Sequence, residues 1–281
     1  MLCSTFLFSI TENDLMQIQT QHPLLNIAVT AARKAGNIII RALDRLEAVK
    51  VSVKSQRNFV SEVDHQSEKI IIETIQKSYP THCILAEESG YITNSDDKYL
   101  WIIDPLDGTT NFIHGFPHFA VSIAIQYKNK IEHGVIYDPV RQELFTASRG
   151  KGAKLGQYRI RVSQCSHFDY ALLGTGSYKD DKHHTPENYL NAFAKFSEKA
   201  AGIRRAGSAA LDLAYIACGR LDGFWENGLG QWDIAAGSLL IKEAGGLISD
   251  PNGKDEYLTS GDIVCGNPKI YSKMLEIIQK K

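Results

Sequence analysis

The sequence predicts an α+β protein built in layers. Apolar residues recur at helical spacing in several separate segments, and one long run alternates at period two across a tight turn. Helices and strands do not succeed one another in the regular βαβ series of a simple parallel sheet. With 281 residues, 43% of them hydrophobic and 22% charged, the chain can bury a sizeable core as one large domain or two packed halves.

The opening MLCSTFLFSI is apolar, but it lacks a basic start, is short for a signal core and reaches polar TENDLMQIQT without a cleavage site. Residues 1–22 therefore read as a disordered N-terminal extension, with Met16 as an alternative start. From Leu24 to Leu46, Leu24, Ile27, Ala28, Ala31, Ala35, Ile38, Ile39, Ala42 and Leu46 follow the three-and-four spacing of an amphipathic helix. A second helix follows Asp64, carries Ile70, Ile71, Ile72 and Ile75, and is stopped by Pro80. Cys83 to Ala86 reads as a short buried strand delivering Glu87 and Glu88, and Trp101 to Ile103 as another delivering Asp104. FAVSIAIQY and IEHGVIYD alternate around Lys128-Asn129-Lys130 as an antiparallel hairpin, which Gln142 to Ala147 continues. SRGKGAKLGQ reads as a loop. Helical spacing returns at Leu190 to Ala200, Ser208 to Cys218 and Ile234 to Ala244, the last closed by Gly245-Gly246, and Pro268 to Gln279 makes a final helix. A boundary between two halves is expected within the Gly/Ser/His-rich stretch at 150–185.

Charge and cysteine usage narrow the function classes. Lysine plus arginine (31) nearly cancel aspartate plus glutamate (32), so the overall field gives no argument for nucleic-acid or membrane binding, and no direct DNA-binding motif is present. No segment has the length to span a bilayer. The five cysteines, Cys3, Cys83, Cys165, Cys218 and Cys265, are odd in number and lack a C-x-x-C pair, which argues against a disulfide framework or a zinc knuckle and fits a reducing cytoplasm.

The chemistry concentrates in WIIDPLDGTTNF, Trp101 to Phe112. On a regular strand Asp104 and Asp107 would face opposite sides. Pro105 cannot donate to a ladder, so the strand is expected to end there and the chain to turn, bringing both carboxylates to one side. Gly108 permits close backbone approach, and Thr109-Thr110-Asn111 is suited to begin a helix and receive an anion. Neighbouring carboxylates repel unless a proton or cation neutralises them, and an all-oxygen cluster suits a hard ion such as Mg2+. Glu87 and Glu88 at a strand end, Asp64 at one helix start and Asp233 at another, in QWDIAAG, could complete it. Each feature alone has a plainer reading: Asp-x-x-Asp-Gly as a turn, Glu87-Glu88 as a surface pair, Asp64 and Asp233 as N-caps. It is their conjunction that points to a site. His114 and His118 are separated by Gly115 and Pro117, against a helical metal pair. His183-His184 reads as exposed loop, and Cys218 and Cys265 as core.

WIIDPLDGTTNF and WDIAAGSLLIKEAGG, together with NFVSEVD, AEESG and RRAGSAALDLAYIACGRLDGFWE, resemble the two signatures and intervening segments of the inositol monophosphatases, most closely their bacterial extragenic-suppressor members. The resemblance runs from about residue 23 to the end. It implies that 23–281 is a phosphatase domain with a layered αβαβα sandwich, shared with the fructose bisphosphatases. It also implies lithium-sensitive, Mg2+-dependent hydrolysis of phosphate monoesters by direct attack of water, with two to three ions. By that resemblance Glu87, Asp104 and the Leu106 carbonyl hold one metal, Asp104, Asp107 and Asp233 a second, and a weaker third lies near Glu87. Thr109, hydrogen-bonded to Asp64, positions the water; the Gly108 and Thr109 amides hold the phosphate. Ala209 and Glu226 face the inositol hydroxyls, Arg204 or Arg205 adds a substrate contact, and Lys54 borders the site. Asn58 stands where many members carry aspartate, a departure expected to alter the metal's outer surroundings more than the reaction. Inositol monophosphate and other small polyol phosphates are the implied substrates, and a homodimer the implied assembly. Close bacterial relatives also act in transcription antitermination of ribosomal RNA through RNA polymerase or elongation factors, the alternative role. A haloacid-dehalogenase-type phosphatase fits less well, since its motif places one residue between the aspartates and here Pro105 and Leu106 intervene. An EF-hand-like loop lacks the regular ligand positions.

Overall fold

The computed structural model describes residues 22–55, 58–177 and 185–279, with side chains 53–60 outside that description. The N-terminal extension as far as residue 21, His183 and His184 lie outside the described residues, as do the side chains of Lys54 and Asn58. A small ribbon pairs β1 (Val51–Ser55) with β2 (Asn58–Ser61). The large sheet holds eight strands, β3 (His82–Ala86), β4 (Gly90–Ile92), β5 (Asp96–Asp107), β6 (Ala120–Tyr127), β7 (Lys130–Asp138), β8 (Glu143–Ser148), β9 (Gly152–Leu155) and β10 (Tyr158–Arg159), in the order 10-9-8-7-6-5-3-4. The smaller sheet holds β11 (Leu172–Thr175), β12 (Gly202–Arg204), β13 (Gly223–Glu226), β14 (Leu247–Ser249) and β15 (Ile263–Gly266), in the order 12-11-13-15-14. Both sheets mix parallel and antiparallel pairs.

The helices α1 (Pro23–Leu43) and α2 (Glu62–Ser78) cover one face of the large sheet, and the five-residue α3 (Thr109–Ile113) follows β5. Of the others, α4 (Pro186–Ser197) and α8 (Pro268–Gln279) cover the outer face of the small sheet. Between the sheets lie α5 (Ala209–Ala217) and α6 (Gln231–Glu243), with α7 (Tyr257–Ser260) beside α6. The result is α, β, α, β, α. Three apolar clusters fill the spaces. Ala28, Ala35 and Ile39 of α1 meet Ile71 and Ile75 of α2 and the sheet residues Ile103, Ile123 and Val135. Leu213, Ala235, Ala236 and Leu240 of the middle helices fill the space between the sheets, and Phe196, Trp225 and Met274 the outermost one. Burial on this scale, at about 25 cal/mol per Å2 of apolar surface, is the main force holding the layers.

Helical spacing placed every long helix, with ends shifted by a few residues. α1 stops at Leu43 rather than Leu46, where a short 3-10 turn, Leu46–Ala48, follows. The hairpin forms with Lys128 and Asn129 at φ 47° and 62°, both central residues of its turn left-handed. Two expectations and one of the plainer readings need correction. SRGKGAKLGQ is not all loop: Gly152–Leu155 forms β9, held by antiparallel pairing with β8 rather than by its own weak strand propensity. Asp64 and Asp233 do not cap their helices; Ser61 and Gly230 occupy those positions, and the aspartates sit three residues on. Nor does β5 stop at Pro105. It continues to Asp107, and between Asp104, opposite Ser122, and Asp107, opposite Ala120, it takes three steps against two on β6. One residue is extra, a β-bulge.

Candidate active site

The bulge does what the expected turn was to do. Ser122 and Ala120 are two apart and share a face of β6, so the residues opposite them, Asp104 and Asp107, share that face too. Ala120, Ala124 and Ile102 place this face toward α5 and α6. There α6 presents Asp233, whose Oδ2 accepts from the Gly230 amide at 2.7 Å. Asp104, Asp107 and Asp233 each offer an oxygen within 4.8 Å of the others.

Further bonds fix the carboxylates. Asp104 Oδ1 accepts from the Leu106 amide at 3.0 Å across the bulge. Asp107 Oδ2 accepts from Ser208 Oγ at 2.6 Å and the Ala210 amide at 2.7 Å, so the start of α5 orients it. Burial raises the Asp104 pKa well above the usual carboxylate range, and the charges of Glu87, Asp107 and Asp233 push it further. Asp107 is raised to about 7 by burial and then by Asp233, against the lowering effect of Ser208 and the Ala210 and Ala209 amides. No described Lys or Arg pairs with Asp104 or Asp107. Converging oxygen donors, with Asp104 and Asp107 buried and unpaired with any described protein cation, fit a hard divalent ion.

Beside this cluster, Gly108 takes φ 99°, a left-handed conformation open to glycine without strain, and turns the chain into α3. Thr109 Oγ1 then donates to Asp64 Oδ1 at 2.7 Å and lies 3.1 Å from the Leu106 carbonyl. The other oxygen of Asp64 accepts from Ser61 N at 2.9 Å and Ser61 Oγ at 2.5 Å, completing a capping box that locks the carboxylate. Glu87 follows β3 and sits beside β5, its amide bonded to the Ile103 carbonyl at 3.1 Å. Its charge reaches Asp104, but it lies outside the three-carboxylate cluster.

The expected substrate-facing residues lie on a second wall. Ala209 is buried at the start of α5, and Glu226 ends β13. A Cβ on Gly176 would come within 1.8 Å of the Glu226 carboxylate, so that carboxylate rests directly against the glycine. Arg205 Nη2 donates to Ser177 Oγ at 2.6 Å beside this wall, whereas exposed Arg204 donates to its neighbour's carbonyl, Ile203 O. Glu88 supplies its amide to Glu68 Oε2 at 2.8 Å and is not in the cluster.

Three residues escaped the sequence reading. Buried Glu68 accepts from the Glu88 amide and from Ser89 Oγ, and so orders the turn carrying Glu87. Its signal was its place four residues after Asp64, on the buried side of α2. Ser208 was visible only as a serine opening an apolar helix. Asp212, buried on α5 and raised well above its usual pKa by burial and then by Glu226 and Asp107, stood as an isolated acid in an apolar helical run.

Comparison with known proteins bears on this arrangement. Nus factor SuhB of Pseudomonas aeruginosa is 54% identical over 260 residues, covering 92% of this chain and 96% of that protein. The extragenic suppressor protein SuhB of Bartonella henselae shares 42% identity with a TM-score of 0.88, covering 92% and 98% of the two chains. An inositol monophosphatase from Anabaena shares 39% with a TM-score of 0.81, covering 92% and 95%. The pattern describing the inositol monophosphatase family matches residues 20–281, and the chain belongs to that family.

Proposed function

We propose that the protein is a Mg2+-dependent phosphoric monoester hydrolase that releases phosphate from inositol monophosphate and other small polyol phosphates. The convergence of Asp104, Asp107 and Asp233 from two layers carries this reading. Asp104, Asp107 and Asp233 would hold one ion, and Glu87, Asp104 and the Leu106 carbonyl another, with a weaker third near Glu87. Bound Mg2+ supplies charge neutralisation for the phosphate oxygens and the leaving alkoxide, and acidifies a water. Because Thr109 gives its proton to Asp64, its oxygen is left as an acceptor aimed at an attacking water. Asp64 fixes that direction through three accepted bonds. The Gly108 and Thr109 amides hold the phosphate, while Ala209 and Glu226 meet the polyol, with Arg204 or Arg205 at its edge. A homodimer is the assembly proposed.

A phosphate-release panel over inositol monophosphate, sugar bisphosphates, histidinol phosphate and adenosine bisphosphates, with Mg2+ and with or without Li+, tests the reading. Inositol monophosphate should be turned over fastest, Li+ should inhibit, and Asp107→Asn should lower turnover by about 100-fold or more with the circular dichroism unchanged. Wild-type turnover in Asp107→Asn would remove these carboxylates from the chemistry.

A second reading rests on the 54% identity to a protein named Nus factor SuhB: the chain acts in transcription antitermination through RNA polymerase or elongation factors, alongside catalysis. Capture of RNA polymerase by both wild type and Asp107→Asn would assign the contact to the folded surface rather than to turnover. Failure of both to capture it would remove this role.

A further inference from the structure

Glu87 acts on Asp104 by its charge although it stands at the tip of a hairpin on the edge of the large sheet. β3 and β4 pair as far as Ala86 and Gly90, which leaves Glu87, Glu88 and Ser89 as the turn. β4 is three residues long and outermost in its sheet, so no strand lies beyond it to brace that turn. The direction in which a residue projects is set by the two peptide planes that flank its Cα. Both planes are held at Glu87. Its own amide donates to the Ile103 carbonyl at 3.1 Å, which fixes the plane before it. The Glu88 amide donates to Glu68 Oε2 at 2.8 Å, which fixes the plane after it. Ser89 Oγ donates to the other oxygen of Glu68. The turn is thus gripped by β5 on one side and by α2 on the other.

Glu68 is 2% exposed, and no Lys or Arg among the described residues pairs with it. A carboxyl buried without a cation costs stability unless hydrogen bonds offset the lost water. Glu68 accepts from two donors, and both belong to the turn that carries Glu87. The stability of α2 alone gives no reason for a carboxyl there, since an apolar side chain would fill the same space at lower cost. Asp64, one helical turn earlier on the same face, holds Thr109. One helix therefore mounts both arms of the proposed site, about 6 Å apart along its axis. We propose that Glu68 is a positioning residue for metal binding: its grip on the Glu88 amide and the Ser89 hydroxyl aims Glu87, and so sets how tightly the ion shared by Glu87 and Asp104 is held. This rests on the reading of Glu87 and Asp104 as metal ligands.

Titration of the full chain with Mn2+ in place of Mg2+, followed by electron paramagnetic resonance of the free ion, tests this without turnover. E87Q removes the ligand itself and so marks the ion concerned. E68M keeps the side chain's length and helix preference but loses both carboxylate oxygens, and it should weaken that ion about 10-fold or more. E68Q should lose less, because its Oε1 can still accept from the Glu88 amide while its Nε2 donates to Ser89 Oγ. If Glu68 acts through Glu87, adding E68M to E87Q should leave the remaining Mn2+ binding unchanged. Urea melts accompany each variant. Should E68M fail to fold, S89A, which removes one of the two bonds from the turn, takes its place in the same cycle with a smaller loss. Three results would overturn the role of Glu68 while leaving the metal site standing. They are wild-type Mn2+ binding in E68M, a loss in E68Q as large as in E68M, and an E68M effect as large in the E87Q background as in wild type. Wild type that binds no Mn2+ would overturn the metal site itself, and this role with it.

Discussion

Asp107 carries two opposed influences. Burial and Asp233 favour its protonated form, while Ser208 and the α5 amides favour the charged one. Its importance was legible in WIIDPLDGTTNF because acid, proline and glycine stand together there. Ser208, 101 positions away, was not, because a hydrogen bond between distant segments leaves no local periodicity. Glu226 was found through resemblance alone, and its dependence on Gly176 emerged only from packing. Gly176→Ala would put a methyl within 1.8 Å of that carboxylate, so Glu226 must swing away. The expected outcome is a KM for inositol monophosphate raised about tenfold or more, a binding loss of about 1.4 kcal/mol, with smaller loss against an acyclic phosphate monoester. Steady-state kinetics on the two substrates checks it.

At the scale of elements, α2 shows how a helix start doubles as a positioning device. Ser61 caps the helix and also donates to Asp64, which in turn receives Thr109. Ser61→Ala should cost about 1 kcal/mol of stability from the lost cap and, by freeing Asp64, lower turnover more than it weakens substrate binding. Denaturant melts beside kcat and KM separate the two effects; an unchanged kcat would detach Ser61 from the proposed chemistry. The helix was legible from its isoleucines and Asp64 as an acid at its start, but not whether that acid is the cap, its plainer reading, or stands inside the first turn. Deciding between cap and third residue requires the backbone angles at Ser61, which are extended. In the same way β9 was invisible in a Gly- and Lys-rich stretch, since its pairing with β8 supplies what its residues lack.

Across the whole molecule the α and β elements were legible from helical spacing and the alternating central hairpin, but their stacking in five layers came from resemblance alone, since the two middle helices are buried nearly all round and show no one-sided stripe to orient them. Two buried histidines add a pH dependence that the sequence did not announce. His118 is lowered to about 4 by burial, then by Arg141, against Asp138; His133 is lowered to about 4 by burial, then by His22. Unfolded histidine titrates near 6.5. As pH falls through that value the unfolded chain gains protons that the folded one refuses, so stability should decline from about pH 6.5 toward pH 4. The raised Asp104 and Asp107 act in the opposite direction, because the folded chain keeps protons there that the unfolded one loses as pH rises. Comparing wild type with His118→Gln cancels that contribution. The difference in unfolding free energy between pH 7 and pH 5 should be smaller in the variant, measured by urea melts at each pH; an equal difference would show that His118 accepts its proton when folded.

The additional residue in β5 has a consequence for how this chemistry could be lost. Along a strand, which side a group projects to is a matter of parity, and three positions is an odd count that the insertion makes even. Inserting one further codon between Asp104 and Asp107, with the single bulge kept, would leave every acid of the chain in place, yet send one of the pair into the wall behind it. A chain of this lineage could therefore keep its full complement of reactive side chains, retain its shape, and be catalytically silent through a single change in phase.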